Sequence, residues 1–96
     1  MRPIKWHGAN KELEAAPGTE GFIQPLPVFT NGSVCVSCWQ LDAAELQTLI
    51  DAIANNKPAC LFVSIYYGQS QPPVYIGTED DVRNQVADFG AVWKKE

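Results

Sequence analysis

Leu26-Pro27-Val28-Phe29-Thr30-Asn31-Gly32-Ser33-Val34-Cys35-Val36-Ser37-Cys38-Trp39 sets two β-prone runs on either side of Asn31-Gly32. Asn-Gly in that place is a strong hairpin signal, because both central residues of a type I′ turn need positive φ. The first strand is expected at a sheet edge, since Pro25 and Pro27 have no amide hydrogen to give to a ladder. Side chains alternate along a strand, so Val34, Val36 and Cys38 share one face and Cys35, Ser37 and Trp39 the other. Phe29 from the paired strand falls on the first face, which is the better core candidate. Trp39 is then expected to be partly roofed by the N-terminal arm, with exposure to a partner as the alternative.

Downstream, Asp42 reads as an N-cap and Glu45 three residues later completes a capping box, with Leu41 and Leu46 placed for a hydrophobic staple. Leu46, Leu49, Ile50 and Ile53 recur at i, i+3, i+4 and i+7, one face of a helix. Asn55-Asn56 and Pro58 stop it. Ala59 to Tyr67 is β-branched and aromatic with both faces apolar, so a central strand is predicted there. Gly68 to Pro73 reads as a loop and Val74-Tyr75-Ile76 as a short strand. A second helix starts with Thr78 as cap and Glu79, Asp80 and Asp81 in its first turn, where the dipole favours anions. Val82, Val86, Phe89 and Trp93 continue it, ending near Lys94 and Lys95.

Residues 1–22 carry Pro3, Gly8, Pro17, Gly18 and Gly21 and read as an irregular arm with a short strand around Ile4-Lys5-Trp6. The expected fold is α+β: a small, mainly antiparallel sheet with two amphipathic helices in the order β-β-α-β-β-α. With 96 residues, 1–96 is expected to be one domain.

The 46% apolar and 19% charged composition is that of a globular chain. The net charge is −4, and no Lys or Arg stands between Lys11 and Lys57, an interval holding Glu12, Glu14, Glu20, Asp42, Glu45 and Asp51. Phosphate binding needs clustered cations, so nucleic acid is not expected as a partner. The same acidity disfavours an anionic membrane surface, and no apolar run approaches the roughly 20 residues of a spanning helix. The opening residues lack a signal-peptide core. Three cysteines fit reduced thiols better than a disulfide framework, which points to a cytoplasm.

Cys35-Val36-Ser37-Cys38, with Cys60 and His7, offers four ligand types of the kind zinc takes. Positions three apart in a strand point to opposite faces, however, so these cysteines are read as small core residues and no metal or other cofactor is expected. A redox pair would place its first cysteine at a helix start, and the helix begins beyond both thiols. His7 is read as a surface histidine on the arm. No catalytic residue is assigned, and the protein is not expected to be an enzyme. Candidate binding residues are the large groups Trp39, Tyr66, Tyr67, Gln71, Pro72 and Pro73, since aromatics are over-represented at interface hot spots.

Pro3-Ile4-Lys5-Trp6 with Gly8-Ala9-Asn10-Lys11, then Leu26-Pro27-Val28, Ser37-Cys38-Trp39-Gln40-Leu41 and Gln71-Pro72-Pro73-Val74, resembles the family of small uncharacterised proteins encoded by tailed phages and prophages. The likeness covers most of residues 1–76. It implies a phage origin and a bacterial host cytoplasm. That family has no established activity, so it lends no site residue.

The expected function is that of a phage or prophage accessory protein, a non-enzymatic binder that inhibits or redirects a host protein. The alternatives are a protein that sequesters a small nucleotide signal, which would need cations for phosphate, and a minor virion assembly component, which would self-associate. The expected partner is a host or phage protein, with homo-oligomerisation left open.

Overall fold

The computed structural model describes residues 1–15, 17–18, 21, 24–64 and 73–96. The protein is α+β: the described residues form two antiparallel sheets, of two and three strands, and two helices. It divides into two compact units, one of Met1 with Leu41–Tyr75 and one of Arg2–Gln40 with Ile76–Glu96.

The larger unit holds the five strands formed by the described residues: β1 (Arg2–Ile4), β2 (Lys11–Leu13), β3 (Leu26–Thr30), β4 (Cys35–Val36) and β5 (Cys38–Gln40). The expected hairpin is β3–β4, with Phe29 opposite Val36 and Thr30 opposite Cys35. Its turn is not the two-residue type I′. Gly32 has positive φ but Asn31 does not, and four residues separate the paired Thr30 and Cys35. Asn31 instead closes the loop with its side chain, Oδ1 accepting from the amides of Ser33 (3.0 Å) and Val34 (3.2 Å). A short amide side chain thus replaces the second positive-φ residue.

Two features of the N-terminal region differ from expectation. The arm contains two strands, and the first is Arg2–Ile4, not Ile4–Trp6. β1 lies beside β5, pairing Pro3 with Trp39 and Ile4 with Cys38, and β2 lies beside β3. β3 is therefore the middle strand of its sheet rather than an edge. The prolines are tolerated because the ladders are staggered. β2 runs along Leu26–Val28 and β4 only along Phe29–Thr30, so among the described residues Pro27 has a neighbouring strand on one side alone. Asn10 extends the β2 side: its amide hydrogen goes to Val28 O (2.8 Å), and its side chain both accepts from Thr30 N and donates to Thr30 O (2.9 Å each).

β4 and β5 form one extended run that changes partner at Ser37, from β3 to β1. The core of this unit is Phe29, Val86 and Trp93, with Trp6, Val34, Val36, Val82 and Val92 packed on it. The face assigned to Val34, Val36 and Phe29 is indeed the inner one.

α2 (Glu79–Ala87) starts at Thr78 as expected, the Thr78 hydroxyl accepting from Asp81 N. It ends earlier than the periodicity implied. Asp88 caps it, Phe89 N turns back to Val86 O (2.9 Å), and Gly90 takes φ of 145°, open to glycine alone. Phe89 is consequently exposed, and Trp93 reaches the core from the chain beyond the reversal, not from the helix. Arg83 fastens that segment by donating to Trp93 O from Nε (2.9 Å) and Nη2 (2.6 Å).

The smaller unit contains α1 (Ala43–Ala54). Both halves of the capping box are present: Glu45 N donates to Asp42 Oδ1 (2.8 Å) and Asp42 N to Glu45 Oε1 (2.9 Å). At the other end Asn56 is left-handed (φ 55°), with Lys57 N bonded to Ala52 O (2.8 Å) and Asn56 N to Ile53 O (3.1 Å). Those two bonds make a Schellman closure with asparagine in glycine's usual place. The strands predicted at Ala59–Tyr67 and Val74–Ile76 are not formed among the described residues 59–64 and 73–76; residues 65–67 lie outside them. A β-prone run becomes a strand only beside a partner, and here β1 and β2 take the places next to the hairpin's strands.

Candidate functional site

Two groups of residues stand out: a polar cluster around Glu79, and apolar side chains left at the surface.

Glu79 is the first residue of α2, where the thiol-bearing strand β5 and the N-terminal segment also converge. Its Oε2 accepts from Trp93 Nε1 (2.8 Å) and from His7 Nε2 (2.6 Å). A carboxylate only accepts, so Nε2 is the protonated nitrogen. The second imidazole nitrogen, Nδ1, lies 3.7 Å from Glu96 Oε2. The hydrogen bond from Trp93, then that from His7, holds the Glu79 carboxyl below the usual carboxylate range against opposing desolvation. Next to it, a hydrogen bond from Lys95 (Nζ to Oδ1, 2.5 Å) lowers Asp80.

Cys38 shows what this arrangement does to a thiol. Burial, and secondly the Glu79 charge, push its pKa up from the ordinary thiol value. A nucleophilic cysteine needs the opposite environment. His7 meanwhile has both ring nitrogens turned to carboxylates. The cluster is thus built to hold segments together, and its electrostatics oppose thiolate chemistry. The expectation that all three cysteines fill core space needs correcting: Cys35 and Cys60 are exposed and only Cys38 is partly buried. Cys35 faces outward on β4 and Cys38 belongs to the other sheet, because the strand changes partner between them. Among the described residues, no three His, Cys, Asp or Glu side chains gather as a metal site.

Of the binding candidates, Trp39 sits on β5 opposite Pro3 and is 47% exposed, its Nε1 donating to Ser37 Oγ (2.7 Å). The N-terminal segment supplies it a neighbour, Pro3, rather than a roof. Pro73 is exposed and outside any strand or helix. Tyr66, Tyr67, Gln71 and Pro72 lie outside the described residues.

α1 contributes the apolar stripe that the sequence spacing places on one helix face. Leu46, Ile50 and Ile53 are 47%, 55% and 65% exposed, and no α1 residue is buried. Leu61 and Val63 in the same unit are half exposed, and Phe62 is 98% exposed. The sequence showed the stripe but not that it would remain open. His7, Glu79, Arg83 and Trp93 were not recognised as a cluster, and no local signal would have found them: His7 and Glu79 are 72 positions apart.

No helix among the described residues is long and apolar enough to cross a membrane. Compared with known proteins, the chain matches no family model, no curated protein and no solved structure.

Proposed function

We propose that this protein is a non-enzymatic binding factor that grips another protein through the apolar face of α1. The observation that carries the reading is the exposure of Leu46, Ile50 and Ile53 on a helix closed at both ends. These residues stand at i, i+4 and i+7, the spacing with which an amphipathic helix enters an apolar groove. The caps fix the helix before binding, so little ordering entropy is lost when it docks.

Charge selects the kind of groove. The helix and its cap carry Asp42, Glu45 and Asp51, and no Lys or Arg occurs between Lys11 and Lys57. The Met1 amino group lies against Glu45 (2.5 Å) and Asp42 (3.8 Å) but leaves the segment acidic. Two copies face to face would oppose acids to acids. A different protein, with an apolar groove rimmed by Lys or Arg, fits instead. The resemblance to phage and prophage proteins supports a host protein in that role, in the cytoplasm of a bacterium. Trp39, half open beside Pro3 on the β1–β5 ribbon of the larger unit, is a separate anchor by itself.

The experiment is Ile50→Glu with Ile53→Glu in the full chain, with thermal unfolding, sedimentation and capture from host lysate measured together. The reading expects a melting change within about 0.5 kcal/mol, as for surface sites, a monomer before and after, and loss of a captured protein whose isolated domain is basic. A fall of about 2–5 kcal/mol would show the face to be internal packing. A wild-type dimer that the variant dissolves would assign the face to a second copy, and either result defeats the proposal.

A further inference from the structure

Asn31 ties the hairpin loop to the chain that follows α2. Its Nδ2 donates to Ala91 O (2.9 Å), while Oδ1 accepts from the amides of Ser33 and Val34. The fit is close: a Cβ at Gly90 would lie 3.0 Å from Nδ2, so the strap 90–93 lays a bare glycine against the carboxamide. The next residue, Gly32, is exposed, and its amide donates to Thr30 Oγ1 (3.1 Å), whose hydroxyl in turn donates to Val34 O (2.7 Å). Asn before Gly is the pair in which a backbone nitrogen reaches the side-chain carbonyl with least hindrance, because glycine carries no Cβ. We propose that Asn31 is a site of spontaneous deamidation gated by the strap: shielded while 90–93 is docked, modified when it undocks, and unable to latch again afterwards.

In the reaction the Gly32 nitrogen gives up its proton and attacks Asn31 Cγ. A bond forms between Cγ and the Gly32 nitrogen, the Cγ–Nδ2 bond breaks, and Nδ2 leaves with that proton as ammonia. The cyclic imide then takes up water and opens at either carbonyl, leaving aspartate or isoaspartate. Water enters, ammonia departs, and nothing is oxidised or reduced. The docked contacts oppose the first step. To bring Cγ over the Gly32 nitrogen, the carboxamide must leave Ser33 N, Val34 N and Ala91 O, and the Gly32 amide must leave Thr30. Both products carry a carboxylate, which only accepts, so Ala91 O loses its donor and meets another acceptor. Isoaspartate also lengthens the main chain between the paired Thr30 and Cys35. The change is one-way, and its extent records the time the strap has spent open.

The test incubates the full chain at neutral pH and follows the Asn31 peptide by mass spectrometry, with the chain in urea as the unshielded reference. Folded Asn31 should react at least about tenfold more slowly than unfolded, since local opening must come first. Gly90→Ala, strained at φ 145° and crowding Nδ2, and Arg83→Gln, which releases Trp93 O, should each speed the folded reaction about three- to tenfold by raising the open population. Should Gly90→Ala not fold, Arg83→Gln decides. Ile4→Ala, in β1 and outside the latch, should leave the rate near that of the wild type. Asn31→Asp keeps the two acceptor bonds of the loop but has no donor for Ala91 O. Chymotrypsin should cut it after the exposed Phe89 about three- to tenfold faster than the wild type, the effect of one lost hydrogen bond on the open population. A folded rate equal to the unfolded one, no acceleration in Arg83→Gln, equal acceleration in Ile4→Ala, or unchanged cleavage of Asn31→Asp overturns the proposal.

Discussion

Replacing Gly8 by alanine should destabilise the protein, against the usual direction. Where space allows and φ is ordinary, Gly→Ala stabilises by about 0.4–1 kcal/mol through the unfolded chain. Gly8 is not at positive φ, so its backbone would accept alanine. Space is the obstacle: a Cβ there would lie 2.6 Å from Trp6 Nε1 and 2.7 Å from both Cδ1 and Cγ of Trp93. Carbon contacts settle near 3.5–4.0 Å, so a displacement of about 1 Å is needed. Trp93 resists it, being buried, hydrogen-bonded to Glu79 through Nε1 and anchored by Arg83 at its carbonyl. Overpacking of this kind costs about 1–3 kcal/mol, a melting loss of roughly 4–24 °C for a domain of this size. Tryptophan fluorescence during heating is the assay. Trp6→Phe removes the atom nearest the new methyl, so the double variant should lose less than the sum of the singles. An unchanged or raised midpoint in Gly8→Ala would refute the packing of Trp6 and Trp93 over Gly8.

Trp93→Ala should cost about 3–5 kcal/mol as a buried tryptophan, while Trp39→Ala, half open, should cost about 1–2 kcal/mol; equal losses on denaturant unfolding would contradict the burial difference. Asn56→Gly relieves a left-handed asparagine at the end of α1 and should raise stability by about 0.5–1 kcal/mol, read as a higher denaturant midpoint. In acid the sign follows from three lowered carboxyls: Asp42 through the Glu45 amide, Glu79 through Trp93 and Asp80 through Lys95. A depressed folded-state pKa contributes stability above the ordinary carboxylate range, near pH 4, and loses it as pH falls through the folded value. Stability should therefore hold down to about pH 5 and then decline, with Glu79→Gln giving a shallower decline.

The parts of this fold that are written locally were legible in the sequence. The Asp42–Glu45 box, the Thr78 cap and the hairpin around Asn31-Gly32 each need only residues a few positions apart. The partnerships of β1 with β5 and β2 with β3 were not legible, because three-residue strands carry almost no pattern and their pairing is fixed by distant chain. Extending a helical period past Val86 assigned Trp93 to α2. The residue does reach the core, but by way of the reversal at Gly90, which periodicity does not weigh. The site divides in the same way. The stripe Leu46-Ile50-Ile53 was visible as spacing, whereas its exposure depends on what else the chain packs, and the His7–Glu79–Trp93 contacts exist only once the larger unit has closed.

The change of partner at Ser37 makes one short segment the common ruler of two sheets. A slip of one residue along β4 would bring Cys35 inward in place of Val36 opposite Phe29, and the covalent continuity would carry the same slip into β5, displacing Trp39 from Pro3. Neither sheet can be mis-set alone. Two short ladders, each too small to hold a register by itself, proofread one another through a single strand.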